Sequence, residues 1–221
     1  MQALEERPKK RQIWRIFLLI FCGALLIRLV FIFTLQDGYY FADGKDYSAA
    51  AFYLQDHWEF SENFERSPLY PAFLSVVYAV TDDSLIYVRL LQAVIGAGIA
   101  TLMALIGLRI AGFMVGVAAG ALWCIYPMGV FISGIIYPTS LLAMLLLFAV
   151  LCLTTHVKGP RLLPRVFSSG LLFGLAGLAK PIVLGTVVFV SIWLVVFNRS
   201  YWKFLVSVFI LGVLVAQAPW A

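Results

Sequence analysis

The stretch that decides the fold is residues 41–80, FADGKDYSAAAFYLQDHWEFSENFERSPLYPAFLSVVYAV, which lies between two long apolar regions. It holds Lys45, Arg66, His57 and several acids, and Asp82 follows just beyond it. The acids within it are Asp43, Asp46, Asp56, Glu59, Glu62 and Glu65. Charged groups are costly inside hydrocarbon. The sequence therefore places its candidate chemistry in this stretch, outside the apolar regions.

Two short patterns in this stretch set a carboxylate beside a cation. Residues 43–47, DGKDY, precede a run of small residues and predict an acidic turn before a helix that begins near Tyr47. Residues 66–71, RSPLYP, predict a stiff turn that carries a cation and opens a short apolar helix. Together they predict a carboxylate and a guanidinium at the heads of two helices, an arrangement suited to a negatively charged lipid.

The composition is that of an integral membrane protein. Of the 221 residues, 63% are hydrophobic and only 12% are charged, which is far from the values of soluble globular domains. The net charge of +5 is not gathered on one basic face, which argues against nucleic acid as a partner. The cysteines and histidines lack metal-site spacing, so a divalent metal would have to use carboxylates such as Asp43 and Asp46.

The apolar runs predict an all-α fold with about seven transmembrane helices, in a single module over residues 1–221 with no soluble C-terminal domain. These runs cover residues 16–35, 84–110, 113–126, 138–155, 166–179, 182–197 and 204–218. The first is predicted to be an uncleaved span, because it is too long for a signal peptide and no small-residue cleavage site follows it. Residues 36–83 form a long first loop, and residues 128–137 an apolar connector. Within the loop, residues 69–80 are too short to span and predict an interfacial helix.

The distribution of cations predicts the orientation of the chain. With the N-terminus in the cytoplasm, the inner segments hold 11 of the 16 cations and two of the 11 acids, as the positive-inside rule requires. The inner cations are Arg7, Lys9, Lys10, Arg11, Arg15, Arg109, Lys158, Arg161, Arg165, Arg199 and Lys203. The loop 36–83 then lies outside. Arg28 falls within the first span, where two interpretations stay open: a buried, paired or functional cation, or one that snorkels to the surface.

The order of these features resembles the GT-C glycosyltransferases, in particular the protein mannosyltransferase and lipid A aminoarabinose transferase branch. The resemblance rests on the basic start, a single span, and an outer loop in which Asp43 stands four residues before Tyr47. It continues through residues 66–71 and through residues 88–93, VRLLQA, which open the second span. It covers almost the whole chain, up to Ala-Pro-Trp at residues 218–220, and corresponds to the seven-span module of that family.

The resemblance implies an enzyme that moves a sugar from a polyprenyl-phosphate carrier to a glycan, lipid or protein acceptor on the outer face of a bacterial inner membrane. Asp43 matches the catalytic carboxylate of the family, and Arg66 matches the cation that contacts the lipid phosphate. The other implied phosphate contacts are Lys45, Lys180 and Arg89, and the secondary candidates are Asp46, Tyr47 and Tyr70. These residue types suit the chemistry, because inverting transfer needs a proton acceptor and a cation beside the departing phosphate.

Each of these residues also has a simpler interpretation. Asp43 or Asp46 could cap the helix that starts near Tyr47. Arg66 could form a surface ion pair with Glu62 or Glu65. Arg89 and Lys180 stand at membrane boundaries, where a long cationic side chain commonly snorkels.

Two departures from the family support a second hypothesis of a different class. Residues 137–140, YPTS, have no carboxylate at the outer start of the fourth span, where many relatives carry a Glu. The chain also lacks the further spans and outer soluble domain of most relatives. The alternative is a non-catalytic subunit that binds lipid or acts as a scaffold, together with a membrane protein partner, in a larger membrane complex.

Overall fold

The computed structural model describes residues 10–61, 64, 66–81, 83–154, 162–197 and 201–220. Within these residues the chain folds into ten α-helices and two short 3₁₀ helices, with no strand. The α-helices are α1 (Lys10–Phe33), α2 (Ala42–His57), α3 (Leu69–Tyr78), α4 (Leu85–Ala111), α5 (Phe113–Ile125), α6 (Pro127–Gly134), α7 (Thr139–Leu153), α8 (Leu162–Ala179), α9 (Leu184–Phe197) and α10 (Trp202–Gln217). The 3₁₀ turns are Pro181–Val183 and Ala218–Trp220. The all-helical fold class is confirmed.

Four helical segments are long and apolar enough to cross a membrane, and a bent pair provides a fifth candidate. The four are Arg11–Phe33, Leu85–Ala111, Leu162–Ala179 and Trp202–Trp220, and the bent pair is α5 with α6. The remaining apolar helices, Thr139–Leu153 and Pro181–Phe197, are shorter. At 1.5 Å per residue, a 15-residue helix such as α7 covers about 22 Å of a hydrocarbon core that is about 30 Å thick. The count of seven spans therefore stays a prediction, with four or five candidates identified.

Five of the 11 cations that decide the predicted orientation lie outside the described part of the chain. This holds for the cations of residues 1–9, 155–161 and 198–200. The predicted ion-pair partners of Arg66, Glu62 and Glu65, also lie outside it. Orientation in the membrane therefore stays a prediction as well.

The spans pack through small residues, as membrane helices commonly do. Helices α8 and α10 approach so closely that a Cβ at Gly170 would overlap the carbonyl of Phe209. Helices α4 and α5 touch in the same way, since a Cβ at Gly107 would lie 2.9 Å from the Cα of Gly116. Helices α1, α4 and α5 thus form one packed group, and α7 and α8 to α10 form a second.

The chain bends at Pro127, where the sequence predicts an apolar connector over residues 128–137. Instead of a connector, Pro127–Gly134 form helix α6, bent by 53° from α5. The prediction is wrong for most of this segment, because a proline at the first position of a helix loses no hydrogen bond and can restart it. Pro138 closes the segment as the N-cap of α7.

Between α1 and α4 the chain forms α2 and α3, which pack against each other and against α4. Helix α2 begins at Ala42 rather than near Tyr47, so that Asp43 falls within its first turn. The N-cap residue is Phe41 and no side chain caps the helix. The capping interpretation of Asp43 and Asp46 is therefore wrong. Asp43 instead favours the helix through its charge near the positive end of the helix dipole.

Helix α3 buries one of its faces. Its buried aromatic residues, Tyr70 and Tyr78, are joined there by Leu74 and Val77, while Phe73 is half-buried. On the α2 side the same cluster contains Tyr47. The α2–α3 pair is thus a packed unit with its own apolar core.

Candidate functional site

Arg66 joins α2 to the start of α3 through two carboxylates. Its Nη2 lies 3.0 Å from Oδ1 of Asp43 and 2.7 Å from Oδ2 of Asp46. Asp43 and Asp46 are three residues apart, so they project from one face of α2. The side chains stay reachable from solvent, with exposures of 36% for Arg66, 38% for Asp43 and 54% for Asp46. The two sequence patterns therefore do meet in space.

The ring of Tyr47 packs beneath the Arg66 guanidinium. The guanidinium carbon of Arg66 stands 5.3 Å from the centre of the Tyr47 ring, within the range of a cation–π contact. Burial raises the pKa of Tyr47, and a hydrogen bond and charge from Arg66 together with the charge of Lys180 offset this only in part. The Tyr47 hydroxyl therefore stays protonated at neutral pH. We call Asp43, Asp46, Tyr47 and Arg66 the Arg66 cluster.

Lys180 lies beside this cluster, although 114 residues separate it from Arg66 in the chain. Its Nζ donates a hydrogen bond to the Tyr137 hydroxyl at 3.1 Å and stands 4.3 Å from the centre of that ring. The Tyr137 ring in turn meets the Tyr47 ring edge to face, with centroids 6.4 Å apart. The Arg66 cluster thus has a second cation close by, held by a tyrosine.

Tyr137 is the residue that sequence reasoning missed. The sequence draws attention to residues 137–140 only because they lack a carboxylate, and it does not identify Tyr137 as a contact of the site. The available signal was its place before Pro138, at the outer start of a predicted span, opposite the turn that carries Lys180. No periodicity within one helix reports a contact of that kind.

Tyr70 lies beneath the cluster and is inaccessible. It is 0% exposed and packs against the edge of Tyr47 with ring centroids 5.2 Å apart. Its hydroxyl donates to Oε1 of Gln92 at 3.1 Å. Burial raises the pKa of Tyr70 well above its usual range. Tyr70 therefore supports Tyr47 from below and is not in a position to touch a substrate.

Two of the predicted phosphate contacts lie apart from the Arg66 cluster. Arg89 is buried and donates to the carbonyls of Gln36 at 3.2 Å and Gly38 at 2.6 Å, so it holds the start of the segment before α2. Lys45 is exposed. Two residues from Asp43 along α2, it points away from the face that carries Asp43.

Within the described residues, no three His, Cys, Asp or Glu side chains are grouped so that they could hold a metal ion. Asp43 and Asp46, the carboxylates that the sequence offers, are both paired with Arg66. A divalent ion at this place would have to compete with the guanidinium for them. With two carboxylates and one guanidinium the Arg66 cluster has a net negative charge, so an anionic ligand of Arg66 would depend on the added positive charge of Lys180.

One apolar groove of the described residues lies away from the cluster. It has a volume of about 390 Å³ and runs between α1, α4 and α7. Its lining residues are Trp14, Phe17, Leu18, Phe21, Gly98, Thr101, Leu102, Met144 and Phe148. Helix α3 contributes nothing to it. A prenyl tail bound in this groove would therefore not contact α3.

None of the protein-family models, curated proteins and solved structures that were compared with the chain matches it. The function must therefore be inferred from the geometry of the site itself. That geometry offers a solvent-reachable carboxylate, a guanidinium within 3.0 Å of it, and a lysine that is hydrogen-bonded to Tyr137, whose ring contacts that of Tyr47.

Proposed function

We propose that the protein is a membrane glycosyltransferase that moves a sugar from a polyprenyl-phosphate carrier to an acceptor, with the Arg66 cluster as its active site. The observation that supports this most strongly is the 3.0 Å contact between the carboxylate of Asp43 and the guanidinium of Arg66. A proton acceptor and a phosphate-binding cation stand side by side, on a surface-reachable unit that is packed against an apolar helix bundle.

In the proposed reaction, a hydroxyl of the acceptor attacks the anomeric carbon of the sugar. The bond between that carbon and the phosphate oxygen breaks, and the polyprenyl phosphate leaves with the bonding electrons. The carboxylate of Asp43 takes the proton of the attacking hydroxyl, which makes the oxygen a better nucleophile as its bond to carbon forms. Inversion at the anomeric carbon follows from this single displacement.

Arg66 stabilises the negative charge that gathers on the departing phosphate. Both of its ion pairs with described residues use Nη2, and the guanidinium also hydrogen-bonds to Tyr47. A phosphate oxygen would bind the donors that remain. The two carboxylates hold the guanidinium in place before substrate arrives, so less side-chain freedom is lost on binding. Lys180, fixed by Tyr137, supplies the second positive charge.

The proposed setting is a bacterial inner membrane, with the segment that carries α2 and α3 on the outer face. Helix α7 and the segment Pro181–Phe197 would add two spans to the five candidates and give the seven-span module. The charge distribution supports the orientation, because acids concentrate between α1 and α4 and cations at the opposite ends of the helices.

The test is transfer by purified protein in lipid nanodiscs, with a polyprenyl-phosphate sugar as donor. Asp43→Asn keeps the shape of the side chain and removes the proton acceptor, and Arg66→Ala removes the phosphate contact. The proposal expects both variants to lose most of the transfer. Unchanged transfer in both variants would show that the cluster is not the active site.

A second candidate is the non-catalytic lipid-binding or scaffold subunit. Two observations favour it: both cluster carboxylates are already paired with Arg66, and Tyr137 stands where a second carboxylate is expected. On this hypothesis the phosphate of a lipid carrier binds to Arg66 and Lys180, and a partner protein performs the transfer. Donor binding that survives in Asp43→Asn, with no transfer by the wild-type chain alone, would favour it.

A further inference from the structure

Arg28 in α1 is the most deeply buried charged residue in the part of the chain that the structure describes. It is 0% exposed. Its Nη1 donates to the carbonyl of Ala24 at 2.9 Å, its Nε to Oγ of Ser133 at 3.2 Å, and its Nη2 to the carbonyl of Trp123 at 3.4 Å. The side chain therefore turns into the helix bundle and does not snorkel, which removes one of the two interpretations that the sequence leaves open.

A guanidinium in this place is expensive to keep. Arginine stays protonated in proteins, and a cation inside a membrane is costly even when hydrogen-bonded. All three acceptors are neutral, and no carboxylate of the described residues forms an ion pair with Arg28. The cost of burying Arg28 must therefore be offset by what its hydrogen bonds do for these three acceptors.

The Trp123 carbonyl is the acceptor that explains Arg28. In a continuous helix it would accept a hydrogen bond from the N–H of residue 127, but that residue is a proline and has none. The backbone offers only a long bond of 3.4 Å from the N–H of Tyr126. Arg28 supplies a donor where the bend between α5 and α6 removes one, at the negative end of the α5 dipole.

Space for the guanidinium is built into α4. A Cβ at Gly96 would collide with the Arg28 side chain and would lie 2.7 Å from Oγ of Ser133. Only glycine at this position lets Arg28 cross from α1 to Ser133 in α6. The contact between Arg28 and Ser133 thus depends on residues of three helices, α1, α4 and α6.

Gln92, one turn above Gly96, holds the other end of the same segment. It is buried, and its Nε2 donates to the carbonyl of Ile135 at 2.8 Å and more weakly to that of Ile132 at 3.4 Å. Its Oε1 accepts the hydrogen bond from Tyr70. These carbonyls lie at the end of α6, shortly before Tyr137.

The geometry points to a clamp: we infer that Arg28 and Gln92 are positioning residues, which fix the proline-bounded segment 127–137 so that Tyr137 stays beside Tyr47 and Lys180. Arg28 binds the end of α5, just before the segment, through the carbonyl of Trp123, and binds the segment itself through Ser133. Gln92 binds its end. The consequence for catalysis rests on the proposed function, whereas the clamp itself does not.

Hydrogen–deuterium exchange of the full chain in nanodiscs tests the clamp without reference to activity. Ser133→Ala removes the side-chain acceptor of Arg28 and, with it, the hydrogen bond that Ser133 donates to the carbonyl of Gly129 at 2.9 Å. Ser169→Ala is the matched control, because Ser169 is also buried and donates to a backbone carbonyl, that of Ala149 at 3.0 Å. We expect exchange of residues 128–137 to rise on the order of tenfold in Ser133→Ala, the scale of a lost hydrogen bond to a charged group, and to stay at the wild-type level in Ser169→Ala.

The inference is overturned if exchange of residues 128–137 is unchanged in Ser133→Ala, or if it rises equally in α8 and α10, which would make the residue a general structural one. Gln92→Leu should raise exchange in the same segment, and Arg28→Gln should do so if that variant folds. Transfer should fall in Ser133→Ala and not in Ser169→Ala. If transfer is indifferent to Asp43→Asn, the proposed function fails, while the exchange pattern still decides whether the clamp exists.

Discussion

The substitution Arg66→Gln separates a functional role of the cluster from a structural one. The ion pairs that it removes join side chains that are 36–54% exposed, and exposed pairs of this kind contribute about 0–1 kcal/mol to stability. A hydrogen bond from a charged donor to a phosphate is worth about 1.5–3 kcal/mol. At 1.36 kcal/mol per factor of ten, the second loss corresponds to a fall of about 10- to 150-fold in kcat/KM.

Transfer is measured in nanodiscs with a polyprenyl-phosphate sugar, and stability by the thermal unfolding of the same preparations. Lys203→Gln is the matched control, because Lys203 also stands over an aromatic ring, 5.7 Å from that of Trp202, and is exposed. Lys203 lies at the start of α10. The opposite end of that helix is the one near the α2–α3 segment, since Trp220, just beyond it, packs against Phe60. Activity within twofold of wild type in Arg66→Gln, or a loss equal to that of Lys203→Gln, would refute the reasoning.

Three further predictions concern stability. Tyr70→Phe should lower the unfolding temperature by several degrees, because it leaves a buried Gln92 oxygen unpaired at a cost of about 1–3 kcal/mol, whereas Tyr87→Phe, at an exposed tyrosine, should not. Gly170→Ala should destabilise the protein, because the new methyl group overlaps the Phe209 carbonyl. Gly23→Ala is the control and should leave the unfolding temperature unchanged, because nothing lies within 4 Å of its new methyl group. Burial raises the pKa of Tyr78 from 10.0 to about 12. The unfolded chain therefore loses this proton at a lower pH than the folded protein, and stability should fall as the pH rises from 10 toward 12. Tyr78→Phe should reduce that fall in a series of unfolding temperatures measured across this pH range.

The sequence predicts the helical architecture well, because long apolar runs favour helices, in which every backbone polar group is satisfied within the segment. The predicted run 138–155 corresponds to α7 (Thr139–Leu153), and the meeting of residues 43–47 with residues 66–71 is confirmed. Where α2 begins is a different matter. Ala42 and Asp43 already suit a helical first turn, whereas the sequence interpretation assigns Asp43 to a turn.

Contacts between distant segments account for what the sequence does not predict. The burial of Arg28 depends on the gap at Gly96 and on the bend at Pro127, which lie in other helices. The place of Tyr137 depends on the same bend. A hydropathy profile treats these residues as a misplaced charge and part of a connector, and only the packed structure shows which residues they contact.

The most direct test of the proposed function compares membranes from cells that produce wild-type protein, Asp43→Asn protein or none, at matched protein levels, by mass spectrometry of lipid-linked sugars and surface glycans. A transferase predicts that one sugar-phosphate lipid accumulates and one glycan loses a residue, both in the deletion and in Asp43→Asn. If the deletion has that effect and Asp43→Asn does not, Asp43 is not the base and the chain acts as a lipid-binding or scaffold subunit.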